Sequence, residues 1–192
     1  MKTKLVANSI LPTRFGTFTI YAFIDSGGKE HVALAKGKIK KKAAVPVRVH
    51  SRCLTGDTLA SMRCDCRDQL EMAMKYVNRH GGIIVYLDQE GRGIGLNNKI
   101  KAYALQDAGM DTVEANYNLG FEEELRDYCV AAEILKILGV KTIKLLTNNP
   151  AKIIDLEHHG VKIAERIPLI TKPNRYNRKY METKRKKMNH LI

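Results

Sequence analysis

Three cysteines in a tight frame, Cys53, Cys64 and Cys66, hold the densest chemistry in this sequence. They sit in His50-Ser51-Arg52-Cys53, continuing to Met62-Arg63-Cys64-Asp65-Cys66. Thiolates at this spacing suit a soft, tetrahedral metal such as zinc. Three protein ligands leave a fourth position for water, whose pKa zinc lowers to about 7. His50 offers an alternative fourth ligand, and a Cys3His site closed by it would only hold the fold together. Asp65, between two cysteines, points away from the metal if the segment is extended. Cys129, inside an expected long helix, reads as a buried core thiol.

Three further stretches could handle an anion. Asp88-Gln89-Glu90-Gly91-Arg92-Gly93-Ile94-Gly95-Leu96 follows an apolar run and opens a helix, where backbone N–H groups and the helix dipole meet negative charge. It is neither the dinucleotide fingerprint nor a Walker loop, so it reads as a phosphate or guanine contact through Arg92 or as a plain tight turn. Glu122-Glu123-Glu124-Leu125-Arg126-Asp127 places acids at an expected helix N-terminus, where they complement the dipole. Glu124 is also a candidate general base and Arg126 a phosphate clamp. Leu146-Thr147-Asn148-Asn149-Pro150-Ala151-Lys152 has ordinary capping chemistry, with Lys152 as a phosphate ligand.

The elements that must position these residues follow from periodicity. Residues 15–24 and 30–36 alternate around Ser26-Gly27-Gly28 and predict a hairpin. Val45–Val49 predicts a strand that delivers Arg48 and His50 to the cysteine segment. Leu70, Ala73, Met74 and Val77 keep helical spacing up to Gly81-Gly82. A buried strand over 83–87, a helix from about 96 to 108, a long helix from about 122 to 138, a strand over 142–146, a helix over 151–158 and a strand over 161–167 complete the series. This alternation predicts a mixed α/β (α+β) fold with a β-rich N-terminal third and packed helices. The whole 1–192 range reads as one domain, ending in a basic tail from about 171 that becomes helical from Tyr180.

Composition sets the setting. With 192 residues and 44% hydrophobic content the chain can bury one core. No apolar run reaches the length of a membrane span and no signal peptide is visible, so a cytoplasmic protein with reduced thiols is expected. The net charge of +13 is concentrated in Lys36–Lys42 and in residues 171–192, where Glu182 is the lone acid. Such charge attracts polyanions or simply solvates a surface. A basic nucleic-acid-binding protein with a closed structural zinc is therefore one reading, although sparse aromatics weaken a base-stacking platform.

Set side by side, RVHSRCLTGD (48–57), RCDC (63–66), QEGRGIGL (89–96), KIKAYALQDAGMDTVEANYNLGF (99–121), LLTNNPAK (145–152), LPTRFGTF (11–18) and YMETKRKKMNHL (180–191) resemble the GTP cyclohydrolase II family, which opens the purine ring of GTP to begin riboflavin synthesis. The resemblance implies a catalytic zinc on Cys53, Cys64 and Cys66, and magnesium with the triphosphate. It implies attack at C8 of guanine, then loss of formate and pyrophosphate, and a homodimer. GTP contacts fall by motif position on Arg48, Val49, His50, Ser51, Arg52, Gln69, Glu90, Gly91, Arg92, Thr112, Thr147 and Lys152. Tyr103 matches a tyrosine linked to the ring chemistry, Glu124 the base, and Arg126 the group acting at the α-phosphate.

Departures from the family pattern mark a divergent member. Glu124 stands for an aspartate, Leu125 for a polar residue, Arg52 for an acid before the first cysteine, Asp88 for an arginine, and Arg67 and Asn189 for glycines. The changes at Arg52 and Asp88 predict a charge-swapped ion pair. Glu124 and Arg52 leave open a paralogue acting on another purine nucleotide or performing only part of the reaction.

Overall fold

The computed structural model describes residues 2–122 and 125–192. Glu124, the expected base, lies outside the described residues. The β-rich start consists of three antiparallel strands, β1 (Lys4–Thr13), β2 (Gly16–Ile24) and β3 (Glu30–Lys36). Strand β4 (Val45–Ser51) leads through a π-helical turn (Leu54–Thr58) to helix α1 (Cys66–His80) and strand β5 (Gly82–Leu87). After a 3-10 turn over Glu90–Gly93 come α2 (Gly95–Asp107), α3 (Thr112–Asn118), α4 (Cys129–Ile137), β6 (Ile143–Leu146), α5 (Pro150–His158), β7 (Ile163–Ile167) and α6 (Arg178–Lys186). Among the described residues no helix is long and apolar enough to cross a membrane.

One seven-stranded sheet runs in the order β1-β2-β3-β5-β4-β6-β7. Its first half is antiparallel, whereas β5, β4, β6 and β7 are mutually parallel. The two-residue period of a strand divides the side chains between its faces. Val45, Val47 and Val49 of β4 and Ile83, Val85 and Leu87 of β5 pack with Val130, Ala131, Ile134 and Leu135 of α4. Ile84 and Leu146 belong to a second cluster with Phe18 and with Ala73 and Val77 of α1. Burying each Val, Leu, Ile or Phe among them contributes roughly 1.5–3 kcal/mol. The same alternation sends Arg48 and His50 to the face opposite the β4 valines, both buried.

From β4 the chain passes through α1 to β5 on one side, and later reaches β6 on the other side of β4. A crevice outside the carboxyl ends of parallel strands, where connections diverge, is where open α/β sheets bind ligands. Ser51, Leu87 and Leu146 end the three strands that meet there.

Several expectations need correction. No strand was expected over Lys4–Thr13, because both faces of this edge strand are largely exposed and no alternation marks it. Helix α3 was also missed, although Asp111 and Glu114 form a full capping box at its start. Among the described residues of the helix expected over 122–138, helical structure begins at Cys129. Its forerunner spends backbone groups on tertiary bonds: Leu125 N donates to Arg92 O at 3.3 Å and Tyr128 N to Asp155 Oδ2 at 2.9 Å. Cys129 consequently opens a helix half-exposed and is no core thiol. Asp127, one residue before the N-cap Tyr128, accepts from Cys129 N at 2.7 Å and lies 3.3 Å from His159.

Candidate active site

The loop that carries Cys53 leaves β4 at Ser51 and is pinned by one carboxylate. Asp57 accepts from Cys53 N at 3.0 Å and from Tyr86 O–H at 2.8 Å, and both its oxygens lie 3.1 Å from His50 Nε2. His50 is buried, and burial lowers its pKa below the ordinary imidazole value despite Asp57. His50 therefore faces Asp57 and does not close a Cys3His site. Among the described residues the thiol cluster consists of Cys53, Cys64 and Cys66, with no histidine or carboxylate joining it.

The donor set fits zinc. A tetrahedral ion with Zn–S bonds of about 2.3 Å holds its sulfurs about 3.8 Å apart, and Cys53 Sγ lies 3.8 Å from Cys64 Sγ. Gly56 keeps the space beside them: a Cβ there would stand 2.8 Å from Cys64 Sγ and 3.1 Å from Cys53 Sγ. Contact with Cys64 and Cys66, reinforced by Lys99, lowers the Cys53 pKa, while contact with Cys53 pushes Cys64 up to about 12.

All the site residues expected from sequence line one pocket except Val49 and the undescribed Glu124. Val49 faces the core, but its carbonyl accepts from Lys152 Nζ at 2.7 Å and so fixes that ammonium. Arg48 on β4 donates to Gln69 Oε1 at 2.5 Å and to Leu146 O at 3.0 Å. Thr147 stands at the end of β6, Thr112 opens α3, and Arg126 lies between Leu125 and Tyr128 on the irregular approach to α4. Arg92 holds a left-handed backbone, φ 61°, which costs a non-glycine residue about 1–2 kcal/mol. Gly93 permits this loop to approach Leu125, whose carbonyl oxygen would lie 3.0 Å from a Cβ at position 93.

The expected ion pair between Arg52 and Asp88 is present at 3.0 Å. Tyr103 reaches the loop through its hydroxyl, 3.4 Å from Thr55 Oγ1, and burial raises its pKa, keeping it protonated. Glu90 directs both oxygens inward. Oε2 accepts from Leu54 N at 2.6 Å, and Oε1 accepts from Lys99 Nζ at 2.8 Å and Gly91 N at 2.9 Å.

Sequence reasoning missed the residues that close the pocket. The basic tail is no free appendage: α6 folds back so that Tyr180, Lys184 and His190 line the cavity. Lys184 meets Asp65, Arg92 lies over the Tyr180 ring at 5.9 Å, and Leu191 N bonds to Asn148 O at 2.9 Å. The signal was an excess of basic residues over the single Glu182, since the acid that absorbs Lys184 lies 119 positions away. His190 has a pKa lowered to about 3 by burial and by the charges of Lys184, Arg126, Arg92 and Lys152. Among the described residues the pocket lining includes buried polar atoms without a protein partner: the guanidinium donors Arg48 Nε and Arg92 Nη1, and also His50 Nδ1, Ser51 Oγ and Gln89 Oε1, which suits a polar ligand whose anionic or carbonyl groups meet the two guanidinium donors.

A mixed α/β sheet with three thiols that could hold a metal, beside arginines and lysines in one cleft, defines a class of site suited to metal-assisted chemistry on an anion. The chain belongs to the GTP cyclohydrolase II family, whose model matches residues 4–168. It is 51% identical over 183 residues to the GTP cyclohydrolase-2 of Picrophilus torridus, covering 95% of each chain. It is 53% identical over 194 residues to the GTP cyclohydrolase-2 of Azotobacter vinelandii, covering 100% of this chain and 93% of that one. The riboflavin biosynthesis protein RibBA of Staphylococcus epidermidis is 53% identical over 193 residues, and the chain spans about half of it (49%). At this identity the departures noted in the sequence do not set the chain apart as a distant member.

Proposed function

We propose that this chain opens the imidazole ring of guanine in GTP, releasing formate and pyrophosphate and leaving 2,5-diamino-6-(5-phosphoribosylamino)pyrimidin-4-one, the first step of riboflavin biosynthesis. The observation that carries this reading is the meeting, in one pocket, of the three-thiol cluster with Arg48, Arg92, Arg126 and Lys152. Zinc held by Cys53, Cys64 and Cys66 would supply a Lewis acid that makes water reactive near neutral pH.

The remaining work falls to the chain's own side chains. Arg92, Arg126 and Lys152 would bind the triphosphate with its magnesium, since fixed cations in a partly dry cleft act more strongly than in water. Arg126 would stabilise charge at the α-phosphate; a guanidinium with pKa above about 12 is a poor nucleophile. Tyr103, held protonated, would donate to a ring atom as C8–N9 breaks, and Glu124 would move the proton of the attacking water. One water opens the ring, a second releases formate from the formamide, and a third accompanies pyrophosphate loss. A homodimer and a cytoplasmic setting belong to the same reading.

The test is incubation of the zinc- and magnesium-loaded protein with GTP, following formate, pyrophosphate and product mass. Both released with a diaminopyrimidine product supports the reading. Pyrophosphate alone, or an intact formamide, would show a partial reaction and favour the paralogue. Cys64→Ser should abolish formate release; normal formate from a zinc-free variant refutes the metal role.

A further inference from the structure

Lys99 is a buried lysine that neither capping nor surface solvation explains. It sits in α2, 9% exposed, with its ammonium 3.1 Å from Cys53 Sγ and 2.8 Å from Glu90 Oε1. Glu90 is itself tied to the Cys53 loop, because its other oxygen accepts from Leu54 N at 2.6 Å, the residue after Cys53. Ammonium, carboxylate, backbone amide and thiol thus form a closed loop in which each member fixes the next. The ammonium also lies 5.8 Å from the centroid of the Tyr103 ring.

We infer that Lys99 is a positioning residue for the metal centre, which fixes the Cys53 sulfur and draws electron density from it. This rests on the reading of Cys53, Cys64 and Cys66 as zinc ligands. Three thiolates around a divalent ion carry a net charge of −1, and a fixed ammonium on one sulfur offsets it. A thiolate that accepts a charged hydrogen bond donates less to its metal, which leaves the ion a stronger Lewis acid. The bond also preorganises Cys53, so the ion meets a ligand already turned toward it. Partners of metal ligands of this kind are worth about 10–100-fold in metal affinity or activity.

The test uses the full chain, stripped of metal under reducing conditions, as wild type and as Lys99→Met. Zinc affinity is measured by competition with a chromophoric chelator. Cobalt(II) is then titrated in, and its sulfur-to-metal charge-transfer band is recorded. The expected result is one ion per chain in both proteins, bound about 10–100-fold more weakly in Lys99→Met. Its charge-transfer band should move to longer wavelength, because a sulfur relieved of its hydrogen bond is easier to oxidise. A role in packing alone would lower thermal stability without moving that band. Lys99→Arg, which keeps the charge, should stand closer to wild type than Lys99→Met in the band position. Should Lys99→Met fail to fold, Lys99→Gln carries the same comparison. Wild-type affinity and an unmoved band in the Lys99 variant would overturn this inference alone. A wild-type chain that takes up no zinc would overturn it together with the reading beneath it.

Discussion

Lys184 Nζ stands 3.0 Å from each carboxylate oxygen of Asp65, the residue between the two cysteines of the Cys-Asp-Cys element. Asp65 is 1% exposed and Lys184 6%, so the pair joins α6 to the cysteine segment out of contact with water. Asp65 also accepts from Gln69 Nε2 at 2.5 Å, and Gln69 accepts from Arg48. One chain of bonds therefore runs from the C-terminal helix through the cysteine segment to the central strand.

Breaking that pair on one side leaves a buried charge uncompensated, which costs about 3–5 kcal/mol. Lys184→Met should lower the urea midpoint accordingly. Adding Asp65→Asn should recover part of the loss, because the orphaned charge is then gone. Additive effects in this double-mutant cycle would show that the two residues do not act as a pair.

The pair between Arg52 and Asp88 is of another kind. Its side chains are 43% and 36% exposed, and exposed pairs contribute about 0.2–1 kcal/mol. Arg52→Ala should change stability by less than about 1 kcal/mol and become still less consequential in high salt. The exchange Arg52→Asp with Asp88→Arg should restore wild-type stability in chemical denaturation. A coupling several times larger would point to a role in the loop beyond the pair.

Gly56→Ala adds one methyl against Cys64 Sγ, 2.8 Å away, and Cys53 Sγ. Both sulfurs would have to move out of the frame a tetrahedral ion needs. Zinc content after dialysis against a weak chelator should fall at least about tenfold, the scale on which misplaced ligand geometry acts. Far-ultraviolet circular dichroism should stay close to wild type, since the loop carries little of the core. Full zinc retention would contradict the assignment of this glycine.

His190 makes stability fall with acid. Its pKa of about 3 in the folded chain lies below the ordinary imidazole value, so between the two the unfolded chain holds a proton that the folded one refuses. The stability at stake is fully present above the unfolded pKa of about 6.5. It is lost as pH drops toward the folded value, with a slope of at most about 1.4 kcal/mol per pH unit. His190→Gln should flatten the melting temperature between pH 6 and pH 4. An unchanged slope would assign the acid sensitivity to other groups.

Much of the sheet was legible because its strands are buried in the way strands usually are. Val45 to Val49 and Ile83 to Leu87 are short apolar runs next to turn residues, and both became central parallel strands. The thiol frame was equally legible, since its spacing alone restricts it to one loop and the start of α1. Lys4–Thr13 was not, because an edge strand exposed on both faces carries no hydrophobic period. The approach to α4 misled for the opposite reason: Leu125 and Tyr128 fall within a helical pattern, yet their amides bond to Arg92 and Asp155 instead.

The grouping of Cys53, Cys64 and Cys66, the α/β layering and the family could all be read from residue order, because they depend on residue type and short-range spacing. Only the tertiary structure decided how each charge is used. It turned His50 toward Asp57 and away from the thiols, joined Lys99 to Cys53, and drew Lys184 from an apparent basic tail onto Asp65. The physical reason is that a buried charge must find its partner wherever the fold brings one. Those partners lie 46 and 119 positions apart for Lys99 and Lys184, beyond any local pattern.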